Sequence, residues 1–273
     1  MGNGRISILG CGWLGMPLGK ELIRYGYSVC GSVTSVDKFD ALQLSGIKPY
    51  RLLLNDNSLE INDLSFFETD VLIISIPPRR IDSIERIFPE QIRQLVPNIL
   101  KFGIKKVIFI SSTSVYPENK QIVSENQIFQ PQKPSGEALV LAENMLMGNS
   151  GFKTTIIRFG GLIGADRNPA RFLLKGKTKV DNVPVNLIHI DDCIGIIVSV
   201  IEKEIWGEIL NACCPEHPLK KEFYGKAAEI SGLTIPEFSE EDGNYKIVDS
   251  SKLIRMLDYS FKYLSPIDYL KDS

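Results

Sequence analysis

"GCGWLGMPLG", residues 10–19, places Gly10, Gly12 and Gly15 at G-x-G-x-x-G spacing, with Gly19 one helical turn further on. Such a triplet has meaning only in context, and here the context is present. The preceding "RISILG" (5–10) is a short apolar run that reads as a buried strand. The following stretch to residue 27 carries Leu14, Leu18, Leu22 and Ile23 at helical spacing, with Gly26 as its stop. In a strand–turn–helix, Gly10 allows the tight turn, Gly12 lets the backbone approach a pyrophosphate, and Gly15 permits close helix–strand packing. The N–H groups of Trp13 and Leu14 are then expected to face phosphates at the positive helix end. Pro17 falls in the first turn, where its missing N–H costs little.

Outward from this motif, strands alternate with helices. "YSVCGSV" (27–33), "YRLLL" (50–54), "DVLIISIPP" (70–78), "KVIFISS" (106–112) and "KTTIIRF" (153–159) read as strands. "KFDALQLSG" (38–46), a stretch at 81–101 interrupted by Pro89 and Pro97, and "SGEALVLAENML" (135–146) read as helices. Strands apolar along their whole length, separated by helices, imply a doubly wound α/β domain with a parallel sheet covered on both faces, the Rossmann arrangement. After residue 160 the alternation loosens, and the rest reads as a smaller C-terminal α+β lobe. The expected division is 1–160 for the dinucleotide-binding domain and 161–273 for a substrate-binding region, with 186–203 packing back on the first. Within 186–203 a strand leads into a helix that Asp191 or Asp192 is expected to cap.

Composition excludes several classes. The 273 residues are 44% hydrophobic and 23% charged, with net charge −2, so no basic field is present for nucleic acid or an anionic membrane. The N-terminus lacks the basic and apolar regions of a secretory signal, and no run reaches membrane-spanning length, so a cytoplasmic protein is expected. Five cysteines without framework spacing read as reduced thiols, and no His/Cys/Asp cluster has metal-ligand spacing. A monomer or homodimer acting on a small molecule fits this balance.

The end of the second strand sets the expected cofactor. It falls in "GSVTSVDK", with no acid before Asp37 to accept from ribose hydroxyls. Thr34, Ser35 and Lys38 suit a 2′-phosphate instead, which favours NADP over NAD. Ser75, Ile76 and Pro77, together with Ser111 and Gly160, count among the candidate cofactor contacts because they close later strands at the same sheet edge. Ser111 opens a run of four hydroxyls, Ser111 to Ser114, where "KVIFISS" ends. Ligands gather at that edge, but turn chemistry alone would also use such residues.

"GCGWLGMPLG", "SSTSVYPE", "RFGGLIG" and "VNLIHIDDCIGII" together resemble the extended short-chain dehydrogenase/reductases of the NAD-dependent epimerase/dehydratase family. The closer likeness is to its atypical, YeeZ-like branch, which also carries an element similar to "NPARF" (168–172). The resemblance implies that Ser112, three residues before Val115, hydrogen-bonds the reacting oxygen beside the nicotinamide. It also implies a Tyr-x-x-x-Lys pair on the next helix, and this chain has Ser135 and Leu139 there. Gly161 stands where many members have an asparagine for a sugar nucleotide. Candidate substrate contacts are therefore Ser112, Tyr116, Ser135, His189, and Arg167 with Arg171, which could clamp an anionic ligand. His189 also reads as a structural histidine, and Tyr116 as a packing residue. Two functions remain open: an NAD(P)-dependent oxidoreductase or epimerase-like enzyme on a small, sugar-like substrate, and a non-catalytic dinucleotide-binding redox sensor or docking protein. A β-hydroxyacid dehydrogenase is set aside, because the C-terminal part is too short and mixed for its helical domain.

Overall fold

A computed structural model describes residues 4–164, 167, 169, 179–234, 237–239 and 243–271. "NPARF", and with it Arg171, lies outside the described residues apart from Pro169. The strands are β1 (Arg5–Leu9), β2 (Ser28–Val33), β3 (Lys48–Leu54), β4 (Leu59–Ile61), β5 (Val71–Ile74), β6 (Lys106–Ser112), β7 (Gln121–Val123), β8 (Lys153–Phe159), β9 (Gly161–Ile163), β10 (Lys179–Asp181), β11 (Leu187–His189), β12 (Ile209–Ala212), β13 (Glu237–Ser239) and β14 (Lys246–Val248). Eight of them form one sheet in the order β12-β8-β6-β5-β1-β2-β3-β4. All neighbours in it are parallel except β3 and β4. The chain walks from β1 to β4 in one direction, then returns to the other side of β1 for β5. The order therefore reverses between β1 and β5, the point where open α/β sheets leave a crevice at their carboxyl edge.

Both faces of this sheet are covered, and the pleat sorts the side chains. Ile6, Ile8, Val71, Ile73, Ile108 and Ile157 point into one core; Leu9, Leu72, Ile74, Val107, Phe109 and Ile156 point into the other. The first core is closed by helix α1 (Gly15–Arg24) through Leu18 and Leu22. Helix α1 ends where Gly26 takes φ +92, and Tyr27 N–H reaches back to Leu22 O at 3.1 Å. After the short α2 (Phe39–Leu44), helices α3 (Ile84–Arg93), α4 (Val96–Lys101) and α5 (Pro134–Met147) close the second core.

Helix α6 (Ile190–Glu202) lays Cys193, Ile196, Ile197 and Val200 on the α1 side of the sheet. Its cap differs from expectation. His189, not an aspartate, is the N-cap, its Nδ1 accepting from Asp191 N–H at 3.2 Å. Asp192 is engaged elsewhere: fully buried, it accepts from Lys262 N–H at 2.7 Å and from Tyr259 Oη at 3.1 Å. Helices α7 (Lys220–Ser231), α8 (Ser251–Leu257) and α9 (Pro266–Lys271) complete the chain. A third, smaller core gathers Ile163, Val185, Phe223, Tyr263 and Tyr269. Two parallel pairings, β9 with β11 and β7 with β14, bring residues 161–163 and 121–123 against later parts of the chain. Among the described residues no helix is long and apolar enough to cross a membrane.

Candidate functional site

Three glycines at the end of β1 do different work. A Cβ on Gly10, which has φ +98, would stand 2.7 Å from Ser75 O, and one on Gly15 would stand 2.4 Å from Gly10 O. Both positions are closed to side chains by the protein's own backbone. Gly12 is not: a Cβ there would meet nothing within 4 Å. Gly12 borders two clefts at once.

The first cleft, of about 320 Å³, runs from Gly10 and Gly12 past Ser32, Thr34 and Lys38 to Phe88 and Gln91. The second, of about 450 Å³, runs from Gly12, Trp13 and Leu14 past Ser75, Ile76 and Pro77 to Ser111, Ser112 and Gly160. Gly10, Gly12, Ile76 and Pro77 are common to both, so the two form one groove across the switch point. Gly160 is also constrained, since a Cβ would approach Cys213 Sγ to 2.6 Å. Arg167 closes one wall, with its guanidinium 4.0 Å from the centroid of the Trp13 ring, an arrangement worth about 0.5–1 kcal/mol at exposed sites.

Ser112 lies where the second cleft meets two others. One contains Ser114, Ser135, Leu139 and Arg79; the other, of about 330 Å³, contains Glu118, Lys133, Asn186, Lys220, Tyr224 and Lys246. Ser112 Oγ accepts from Ser114 N–H at 3.1 Å, capping the 3₁₀ turn Thr113–Val115 and leaving its own proton to donate. Gly136 lets α5 close on this turn, because a Cβ there would lie 2.7 Å from Ser114 O. Burial holds the Lys246 amine below the usual lysine range, with the neighbouring Glu118 opposing that shift.

The structure thus brings together Gly10, Gly12, Trp13, Leu14, Thr34, Lys38, Ser75, Ile76, Pro77, Ser111, Ser112, Gly160 and Arg167 along one groove, with Ser135 next door. It does not bring Tyr116 or His189 there. Tyr116 is buried, its hydroxyl donating to Asn211 Oδ1 at 2.8 Å and accepting from Arg158 Nη1 at 2.7 Å. Burial, partly offset by Arg158, raises its phenol above the ordinary range. His189 is 6% exposed, its ring packed edge-on against Tyr263 and tilted against Tyr269, with centroids at 4.7 and 4.6 Å. Both are held by packing, away from the groove.

Sequence reading missed the ion pair beneath the site. Glu143 on α5 and Arg158 on β8 are 2% and 4% exposed, and Arg158 Nε donates to both carboxylate oxygens at 3.1 and 3.2 Å. Glu143 also accepts from Ser111 Oγ at 2.5 Å. The signal was there: Leu139, Ala142 and Leu146 share its buried helix face, so Glu143 sits in an apolar stripe at i+4, i+1 and i−3 from them. Lys246 gave no such signal, since its burial depends on the distant pairing of β14 with β7.

With this geometry in hand, the relatives are informative. No family model matches the chain. Protein YeeZ of Escherichia coli strain K12 is 35% identical over 268 residues, 96% of this chain and 97% of that protein. The chain belongs to the YeeZ family. Its fold is shared with short-chain dehydrogenase/reductase and epimerase/dehydratase proteins of known structure. Among solved structures, UDP-glucuronic acid 4-epimerase from Bacillus cereus, in complex with UDP-glucuronic acid and NAD, superposes with a TM-score of 0.79 at 22% identity, covering 98% of this chain and 96% of that one. A short-chain dehydrogenase/reductase superfamily protein from Agrobacterium tumefaciens, with bound NAD, gives a TM-score of 0.78 at 16% identity over 98% and 95%.

These neighbours correct the expected cofactor: they hold NAD, and the expectation of NADP does not stand. The Ser35 hydroxyl donates to the Asp37 carboxylate, and that hydrogen bond holds Asp37 below the usual carboxylate range.

Proposed function

We propose that this chain is an NAD-dependent oxidoreductase of the epimerase/dehydratase type, acting at a carbon that bears a hydroxyl or carbonyl on a small, hydroxylated substrate. The observation that carries the reading is Gly12: a position with room for a side chain, kept bare where two clefts join at a helix N-terminus. The adenosine half fits the cleft of Thr34 and Gln91, and the nicotinamide half fits the cleft of Ser111, Ser112 and Gly160. When bound, NAD supplies the carbon that takes or returns a hydride.

The chain's own residues orient and polarise. Ser112, whose oxygen already accepts from Ser114, donates to the substrate oxygen. Arg167, held over Trp13, offers its guanidinium to an anionic group on the ligand. Ser135 and Leu139 cannot do the work of a tyrosine and lysine. Lys246 borders the same side cleft as Ser112 and takes that place as the proton-exchanging group, its amine pulled towards neutrality by burial. Formation of NADH on incubation with NAD and a panel of sugars and sugar acids tests this. Ser112→Ala should lower turnover roughly 10²-fold with cofactor affinity kept, and Lys246→Met should remove one limb of the pH–rate profile.

A second reading, dinucleotide binding without chemistry, is favoured by one feature: Leu139 puts hydrocarbon where the family's lysine reaches the cofactor. Tight NAD binding with neither NADH formed nor any sugar or sugar acid of the panel converted would select it.

A further inference from the structure

Strand β6 ends in two adjacent hydroxyls bordering the same cleft, and their partners give them opposite polarity. Ser112 accepts from Ser114 N–H, so it faces a ligand as a donor. Ser111 donates its single proton to Glu143 Oε1 at 2.5 Å, so all it can offer the cleft is lone pairs. The arrangement behind Ser111 is fixed by a buried chain. Arg158 Nε donates to both oxygens of Glu143, Arg158 Nη1 donates to Tyr116 Oη at 2.7 Å, and Tyr116 donates to Asn211 Oδ1 at 2.8 Å. A carboxylate so paired accepts and does not donate. Were Glu143 to take a proton from Ser111, it would strand a buried guanidinium, so the carboxylate acts as an anchor and not as a base.

We propose that Glu143 is a positioning residue that fixes Ser111 as a hydrogen-bond acceptor, and that Ser111 reads a neutral N–H or O–H donor on the nicotinamide half of NAD. The inference rests on the NAD reading above. It supplies the polar contact that α5 lacks: one turn before Glu143, Leu139 gives the cleft only hydrocarbon. Two groups on that half of the dinucleotide carry a suitable donor, the carboxamide amine and the ribose hydroxyls.

The test is calorimetric titration of NAD, acetylpyridine adenine dinucleotide and ADP into the wild-type chain, Ser111→Ala and Ser111→Thr. In the acetylpyridine analogue a methyl ketone replaces the carboxamide, so its N–H donors are gone. Ser111→Ala should bind NAD roughly tenfold more weakly, the scale of one hydrogen bond, with ADP affinity unchanged. Ser111→Thr, which keeps a hydroxyl, should recover NAD affinity. If the loss in Ser111→Ala vanishes with the acetylpyridine analogue, the donor is the carboxamide; if it persists, the donor is a ribose hydroxyl. Both results support the proposal. Glu143→Gln, verified as folded by melting, should lower the NAD-to-ADP affinity ratio as Ser111→Ala does. Equal NAD affinity in wild type and Ser111→Ala overturns the proposal, as does parallel loss of ADP binding, failure of Ser111→Thr to recover, or an unchanged ratio in Glu143→Gln. A wild-type chain that binds ADP but not NAD is a separate result, which sinks the NAD reading itself.

Discussion

Arg158 and Glu143 form an ion pair with side chains only 5% and 2% exposed, and Glu143 accepts a hydrogen bond from Ser111, the next-to-last residue of β6. Removing one partner leaves a desolvated charge, so Glu143→Ala or Arg158→Ala should each cost about 3–5 kcal/mol of stability. The double variant Glu143→Leu, Arg158→Met should lose far less than the sum, because no orphan charge remains. Urea unfolding of the four proteins checks this; strictly additive losses would show that the pair is not coupled.

The glycine loop separates fold from function. Gly15→Ala drives a Cβ to 2.4 Å from Gly10 O, and overpacking against backbone should cost about 1–3 kcal/mol. Gly12→Ala meets nothing within 4 Å and should leave the melting temperature unchanged. Thermal melts of both variants decide whether the space at Gly12 belongs to the protein or to a ligand.

Local periodicity made the sheet legible: each of the runs around Ile8, Val29, Leu52, Ile73, Phe109 and Ile156 became a strand of the large sheet. It could not reveal β4, whose pairing with β3 rests on a short turn of polar residues, nor the partnership of β7 with β14, which joins segments more than a hundred positions apart. In the site, the glycines declared themselves because backbone geometry restricts the residue type. Charged residues spoke less plainly. Glu143 stands in an apolar helix stripe, but its partner Arg158 is found only once that helix and β8 are packed together. His189 reads as a structural histidine or a catalyst until its ring is found packed against two tyrosines.

The Asp37 carboxylate should make NAD bind more tightly than NADP. Asp37→Asn should narrow that gap by roughly two- to fivefold, the scale of an exposed charge interaction. Parallel titrations with the two dinucleotides measure it, and a gap unchanged by the substitution would assign selectivity to another residue.

Stability should depend on the protonation of His189. Burial pushes its imidazole below the ordinary range, Asp191 pulls it up and Lys262 pushes it down. Between the folded value and about 6.5 the unfolded chain therefore holds the extra proton, and stability falls as pH drops through that window, then levels off below it. Burial lowers His217 as well, so part of the fall belongs to that residue. His189→Asn keeps an acceptor for the Asp191 N–H but cannot titrate. It should be less stable by about 1–2 kcal/mol from lost ring packing, with a smaller change between about pH 7.5 and about pH 5.5 than wild type. Identical pH dependence in the two proteins would move the effect elsewhere.

The central claim is that the groove through Gly12 holds NAD, and the most direct measurement is calorimetric titration of NAD into wild type and Gly12→Val, with thermal melts of both. Saturable binding by wild type, lost in a Gly12→Val protein that melts as wild type does, is the predicted result. NAD affinity unchanged in a folded Gly12→Val protein, or no NAD binding by wild type, would contradict it.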